Sequence, residues 1–285
     1  MKKSLLFIIA VCLMACQKDF DEVADTNQRH IDFLVDTSNL LSDVLFAQGS
    51  TFRLEVTDSI TTHHRIRLTA YCYDATGAFV ATQHNIAESL GQAKMTFRHL
   101  LKDTSYHFVF LADVVRTNDY MEYQETWYQL STKRHDTAYL FSNAMSSTVA
   151  ENVLKYATIN MEPDNQSVNV LLQPVTYNGF IVLTNTNDIS KLSGTYSYSA
   201  SLSTEDLTAR KSAESTFVSL FANGSVVLWP VTLTQNDAEL QFSLDISTSA
   251  KGKQIATQVI TLGERRPFVV SFDCSSLQIT DIKYY

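Results

Sequence analysis

Glu239-Leu240-Gln241-Phe242-Ser243-Leu244-Asp245-Ile246 decides the fold, because polar and apolar residues alternate one for one along the whole stretch. In an extended chain successive side chains point to opposite faces. The stretch therefore reads as a strand with Leu240, Phe242, Leu244 and Ile246 on a core and the other four residues in water. Lys251-Gly252-Lys253 turns the chain into a second strand from Ile255 to Leu262, and Phe268, Val270 and Phe272 continue with the same period.

The same grammar extends toward the amino terminus. Val168, Val170 and Leu172 lead through Pro174 and a break at Asn178-Gly179 into Phe180-Ile181-Val182-Leu183, which the turn-rich Thr184-Asn185-Thr186-Asn187-Asp188 ends. Tyr196 and Tyr198 alternate with serines. Val226, Leu228 and Pro230 follow Asn223-Gly224, and the proline favours an edge strand or a strand end. In the first half, Phe52, Leu54 and Val56 alternate with Arg53 and Glu55, and Ile66, Leu68, Ala70 and Cys72 with Arg67, Thr69 and Tyr71. Asp74 and Gly77 supply turn chemistry for a hairpin. Tyr106-His107-Phe108-Val109-Phe110-Leu111-Ala112 is almost continuously apolar, as a central strand covered on both faces should be. Tyr123 to Leu130 reads as a further strand, and Asn143 to Tyr156, with Met145, Val149, Val153 and Leu154, as a short helix over one edge.

Strands at this spacing imply an all-β chain of antiparallel sandwiches. Each half holds enough of them for its own core, and the polar segment from Met161 to Ser167 lies between, so two tandem sandwiches are expected. Residues 1–15 read as a signal peptide, 16–45 as a tether leading into the fold, 46–162 as the first sandwich and 163–285 as the second. The division between the sandwiches is placed to within about 10 residues.

At the amino terminus, Lys2 and Lys3 precede an apolar run from Leu5 that ends in Leu13-Met14-Ala15-Cys16. A basic start, an apolar segment and small residues before a break are the parts of a secretory signal. The run is shorter than the about 20 residues a transmembrane helix needs. Leu-x-Ala-Cys looks like a bacterial lipobox, in which Cys16 becomes the first mature residue and carries acyl chains. Several chains on one residue give stable anchoring where a single one is marginal. A plain signal peptide with an incidental cysteine is the alternative. Lys18-Asp19-Phe20-Asp21-Glu22 resembles the surface-export signal of Bacteroidota lipoproteins, or is a solvated leash. The expected location is the outer membrane, lipid-anchored and exposed on the cell surface.

The chain has 22 basic and 30 acidic residues, and loss of Lys2 and Lys3 with the signal leaves 20 against 30, a net charge of −10. Lys133-Arg134-His135 and Arg265-Arg266 are the nearest approach to basic clusters, so a nucleic-acid partner is not expected. Cys12 leaves with the signal and Cys16 is acylated. Cys72 and Cys274 remain, far apart and inside apolar segments, and read as two buried thiols rather than a disulfide.

The residue patterns of catalysis are missing from the sequence. It contains no Gly-x-Ser-x-Gly elbow, no His-Glu-x-x-His, no phosphate-cradling glycine loop and no paired-cysteine zinc spacing. An enzyme is not expected, nor a cofactor or a metal. His63-His64 are neighbours that a strand would point to opposite faces, and His84, His99, His107 and His135 are scattered singly. Asp113, Asp119, Glu122 and Glu125 form the nearest thing to a carboxylate cluster and read as exposed charges. Tyr120, Tyr123, Trp127 and Tyr128 are a sugar-stacking platform or part of a core. A surface glycan-binding lipoprotein using Trp127 or Trp229 is the alternative function.

Arg67-Leu68-Thr69-Ala70-Tyr71-Cys72-Tyr73-Asp74-Ala75-Thr76-Gly77-Ala78-Phe79-Val80 carries a resemblance. It is similar to the first-domain hairpin of the fimbrillin-associated anchor and tip proteins of Bacteroidota, the FimB-like family. There a Tyr/Phe-Asp-x-x-Gly turn is followed, after a variable stretch, by a leucine and a Tyr-x-Phe-Val strand. Leu100-Leu101 and Tyr106 to Ala112 sit where that second element belongs; Ala112-Asp113 stands where the family often has Ala-Asn. The resemblance implies two transthyretin-like sandwich domains and a lipidated subunit that anchors or assembles fimbriae. Fimbrial subunits are the implied partners, joined by inserting a strand into a neighbour's sheet. An unpaired edge is the physical requirement for that contact.

Overall fold

The computed structural model describes residues 27–38, 45–48, 51–54, 64–87, 91–116, 128–129, 139–141, 149–150, 154–164, 166–203, 209–219, 227–234, 237, 239–263 and 266–285. Every regular element among these residues is a strand. In chain order they are β1 (Gln28–Asp36), β2 (Leu45–Gln48), β3 (Thr51–Leu54), β4 (His64–Asp74), β5 (Phe79–Ala87), β6 (Gln92–Leu101), β7 (Tyr106–Arg116), β8 (Tyr128–Gln129), β9 (Tyr139–Phe141), β10 (Val149–Ala150) and β11 (Leu154–Met161). There follow β12 (Ser167–Val170), β13 (Gln173–Pro174), β14 (Thr176–Thr184), β15 (Ile189–Leu202), β16 (Ala209–Ser219), β17 (Val227–Thr234), β18 (Glu239–Thr248), β19 (Gly252–Thr261), β20 (Phe268–Asp273) and β21 (Gln278–Tyr284).

The first sandwich pairs a five-stranded sheet, ordered β13-β11-β7-β4-β5, with a three-stranded sheet, ordered β12-β1-β6. Alternation along the strands makes its core: Ile31, Phe33 and Val35 of β1 meet Leu68 and Ala70 of β4, Met95 and Phe97 of β6, and Phe108 and Phe110 of β7. The Phe33 ring lies 4.7 Å from Phe108 and 4.9 Å from Phe110. Burying one such side chain stabilises the fold by about 1.5–3 kcal/mol. β1 comes from the stretch read as tether, yet it is the middle strand of its sheet. Its neighbour β12 pairs with it in parallel, Phe33 opposite Val168, and Val170 and Leu172 close the same core.

β7 is central, as its apolar run implies, and both of its faces are covered. Phe108 and Phe110 enter the first core, while Val109 and Leu111, with Tyr71 and Tyr73 of β4, belong to the apolar cluster that continues into the second half. The β4–β5 hairpin turns where Asp74 and Gly77 place it. Asp74 Oδ1 accepts hydrogen bonds from the backbone N–H groups of Thr76 (2.8 Å) and Ala78 (3.0 Å), and Gly77 takes φ 79°.

The expected helix from Asn143 to Tyr156 is corrected where the structure describes it. Leu154, Lys155 and Tyr156 begin β11, and Val149-Ala150 form β10. Leu154 and Tyr156 point to one core and Ala157 and Ile159 to the other, and β7 supplies the backbone partners that an isolated helix would have to find internally. The remainder of that segment lies outside the described residues.

The second sandwich joins a four-stranded sheet, β17-β14-β20-β21, to a six-stranded one, β19-β18-β15-β9-β8, with β16 also paired to β15. Leu240, Phe242, Leu244 and Ile246 face its core as the alternation requires. Pro230 lies in the edge strand β17 opposite Phe180. Most pairings are antiparallel; β14 and β20 run parallel, Ile181 opposite Val270. The outer face of this sheet is covered too, by Phe52 of β3, whose ring is 5.5 Å from that of Phe180. Cys72 and Cys274 are buried free thiols in different cores.

Candidate partner-binding edges

The residues singled out for chemistry disperse. Asp113, read as an exposed carboxylate, is buried on β7 and bonded to Arg67 of β4. Arg67 Nε donates to Asp113 Oδ1 at 2.9 Å and Nη2 donates to Oδ2. Burial pushes the carboxyl up to about 6 against the pull of the guanidinium. Asp119, Glu122 and Glu125 lie outside the described residues, as do His63, His135, Tyr120, Tyr123, Trp127 and the proposed acylation site Cys16. His84 meets Thr69 Oγ1 at 3.2 Å, His99 meets Gln28 at 2.8 Å and His107 meets Asn160 at 2.7 Å. No group of three metal-ligating side chains occurs among the described residues. Trp229 is not a surface platform. Only 3% exposed, it packs 4.5 Å from Phe217 and 5.4 Å from Tyr196, against a backbone kept bare by Gly194.

What the fold does offer is sheet edges, whose outward N–H and C=O groups are templates for another strand. Most of those seen here are blunted. β12 has four residues and β13 and β8 have two each. β17 carries Pro230, which has no N–H to donate. β6 carries Lys94 and Arg98, and His99 breaks its geometry at φ 60°. β21 carries Asp281 and Lys283 and shifts register between Ser271 and Phe272 of its partner. β16 carries Arg210, Lys211 and Glu214 and shifts register twice against β15.

Among the described residues, the short sheet β10-β2-β3 ends in a two-residue strand and in β3 with Arg53, and the longer edges least marked by charge are β5 and, beyond Lys253, β19. β5 shifts register at Cys72/Tyr73 and presents Val80 beside its turn. β19 follows β18 without a shift from Glu239 opposite Thr261 to Thr248 opposite Gly252, and it is uncharged from Gln254 to Thr261. Ala256 and Ile260 face the core. Ile255 and Val259 point the other way, 64% and 53% exposed. Their spacing of four was the available sequence signal, because a strand apolar on both faces needs cover on both.

Two hydrogen bonds link β19 and the residues after it to the stretch around β21. Gln258 Nε2 donates to the Leu277 carbonyl at 3.3 Å, and the Gly263 N–H donates to Tyr284 Oη at 3.0 Å. Ile282 stands opposite Val270 in the register and so shares its core-side face, yet it remains 38% exposed.

The fold matches solved structures over most of its length. The "fimbrial anchor protein Mfa2 from Porphyromonas gingivalis" aligns with a TM-score of 0.51 at 12% identity, covering 90% of this chain and 98% of that one. A Bacteroides thetaiotaomicron protein named as a candidate polysaccharide-binding protein aligns at 0.54 and 11% identity, covering 90% and 98%. A candidate adhesin from the same species aligns at 0.50 and 14% identity, covering 90% and 95%. No curated protein matches the sequence. At the level of sequence, residues 47–280 match the family of fimbrillin-A associated anchor proteins Mfa1 and Mfa2, and the chain belongs to that family.

Proposed function

We propose that this protein is a surface lipoprotein, acylated at Cys16 and held on the outer membrane, that anchors or assembles fimbriae through strand-addition contacts with fimbrial subunits. The family match over residues 47–280 carries the reading. Leu13-Met14-Ala15-Cys16 supports the acyl anchor, and the long sheet edges at β5 and β19 support strand addition. In this reading residues 1–15 are removed as a signal.

Deletion of the gene tests the role, and Cys16→Ala tests the anchor. Loss of fimbrial attachment or altered fimbrial length on deletion supports the reading; unchanged fimbriae overturn it. Cys16→Ala is expected to abolish labelling by a palmitate analogue and to release the protein from the membrane fraction. Continued labelling of that variant sinks the acylation site.

A glycan-binding role has the name of the first Bacteroides thetaiotaomicron relative in its favour. With Trp229 buried, its stacking residue would be Trp127, and glycan arrays with Trp127→Ala test it.

A further inference from the structure

We propose that the end of the first sandwich at which β1 begins rests on the membrane surface, with Leu101 inserted among the lipid headgroups and Arg98 and Lys102 set against anionic lipid. The inference rests on the acyl anchor at Cys16 proposed above and adds to it a face of the folded protein that meets the lipid.

The strand registers define this end. Gln28 stands opposite Leu101, and Asp74 and Met161 both stand opposite Tyr106. Arg29 ties the two sheets together there by donating to the carbonyls of Thr104, Glu162 and Pro163. The Lys102 N–H donates to the Asn27 carbonyl at 3.0 Å, so the chain that leads back to Cys16 leaves the fold beside Leu101. Cys16 precedes Asn27 by 11 positions, a stretch that spans at most about 40 Å when fully extended. The other end of β1, where Leu171 follows β12, lies about 25 Å further along the strand axis.

A bulge turns Leu101 outward. Phe97 faces the core, and unbroken alternation would send Leu101 to the same side. The register instead steps from Ile31 opposite Phe97 to Arg29 opposite Leu100, so that Arg98 and His99 together face His30, and His99 takes φ 60°, which residues other than glycine seldom adopt. Leu100 thereby fills the core position and Leu101 emerges, 49% exposed.

A lone exposed leucine is ordinary on a protein surface. This one is bracketed by Arg98 and Lys102, both exposed and neither in an ion pair among the described residues, on a chain whose formal net charge is −8. An apolar side chain between cations is the chemistry of attachment to an anionic lipid surface. The acids of this end lie in the loops after β6 and β11 and in the β4–β5 turn, where Asp74 caps the turn and Glu162 accepts from the Ser105 hydroxyl at 2.9 Å.

The test uses the full acylated chain, reconstituted in vesicles of phosphatidylethanolamine and phosphatidylglycerol. Leu101→Cys and, at the opposite end of the sheet, Leu171→Cys are each labelled with a thiol-reactive environment-sensitive fluorophore, the native Cys72 and Cys274 being buried. The expected result is a blue-shifted emission at position 101, quenched by headgroup-level doxyl lipid at least twofold more than at position 171. Arg98→Gln with Lys102→Gln should weaken binding of the unacylated Cys16→Ala chain to the same vesicles about tenfold, with little effect on vesicles of phosphatidylcholine alone. Equal quenching at the two positions, or none at 101 in protein that floats with the vesicles, overturns the inference and leaves the anchor standing. A blue shift at 101 without quenching by lipid marks a protein neighbour and overturns it too. A chain that carries no acyl group overturns the anchor reading together with the inference built on it.

Discussion

Arg67 and Asp113 stand directly opposite each other on β4 and β7, and the guanidinium grips both carboxylate oxygens inside the fold. They lie on the sheet face that also carries Tyr71 and Leu111, which belong to the cluster running into the second half. Removing one partner of a buried pair strands the other charge. Arg67→Met is expected to cost about 3–5 kcal/mol, and the double change Arg67→Met with Asp113→Leu to recover most of it. Urea midpoints of wild type and the two variants decide; equal losses in the single and double variants would show that the pair is not the source.

Two carboxyls set opposite pH limbs. Asp113 is raised to about 6 by burial, so the native protein holds its proton more tightly than the unfolded chain, whose Asp titrates near about 3.9. Its stabilisation is full below pH 4 or so and is lost as pH rises through about 6. The stability advantage of wild type over Asp113→Asn should therefore shrink across that window. Asp273 is held down to about 2 by hydrogen bonds from the Ser275 hydroxyl and N–H, so its contribution is present above pH 4 or so and is lost as pH falls through about 2. Asp273→Asn should flatten that acid limb. Chemical denaturation across the pH range reads both slopes, and a wild-type advantage over Asp113→Asn that grows from pH 4 to 6 would reverse the assignment.

Arg29 ties three segments together at the start of β1. Its guanidinium donates to the carbonyls of Thr104 (2.8 Å), Glu162 (3.0 Å) and Pro163, and lies 5.8 Å from the centre of the Tyr106 ring. Arg29→Met keeps most of the apolar stem but loses these bonds, at an expected cost of about 1–2 kcal/mol. Hydrogen exchange should rise first at Gln28 to Ile31. Unchanged protection there would deny Arg29 this role.

Gly179 and Gly194 are places where the backbone itself is packed against. A Cβ on Gly179 would sit 2.3 Å from the Phe268 carbonyl oxygen, and one on Gly194 would sit 2.4 Å from the Phe217 ring. Gly179→Ala meets backbone and is expected to cost more than Gly194→Ala, which meets side chains able to shift; overpacking costs about 1–3 kcal/mol. Thermal unfolding of the two variants gives the order directly.

Cys72 and Cys274 should be inert while the protein is folded. Burial pushes both thiols up to about 12, and neither is solvent-accessible enough to react. Peptide mapping after brief iodoacetamide treatment should find both unmodified in native buffer and both alkylated in urea. Native alkylation of either would contradict its burial.

Period-two alternation made Leu240 to Ile246 legible in the sequence, a continuous apolar run did so for Tyr106 to Ala112, and Asp and Gly chemistry for the Asp74–Gly77 turn, because each depends on local geometry. The long-range features were not. Nothing near Arg67 says that Asp113 will lie opposite it, since the pair is made by strand order. β1 read as tether because its partners are distant in sequence, β6 on one side and β12, more than 130 residues later, on the other. Leu154 to Tyr156 carries a pattern compatible with a helix, and only β7 as a neighbour makes it a strand. The charge-free stretch of β19 from Gln254 to Thr261 was visible as composition, but its place at a sheet edge is a property of the sheet.

β1 lies between β6 and β12, and its amino end is where the preceding segment reaches the fold. A pull applied at Gln28 along the strand axis runs across the direction of the ladder bonds to β6. Those bonds are strained together, as in a lap joint loaded in shear, rather than opened singly as at a zipper's end. Arg29 adds its carbonyl grips at the point where the tension enters. Tension entering at Gln28 is therefore shared along the β1–β6 ladder.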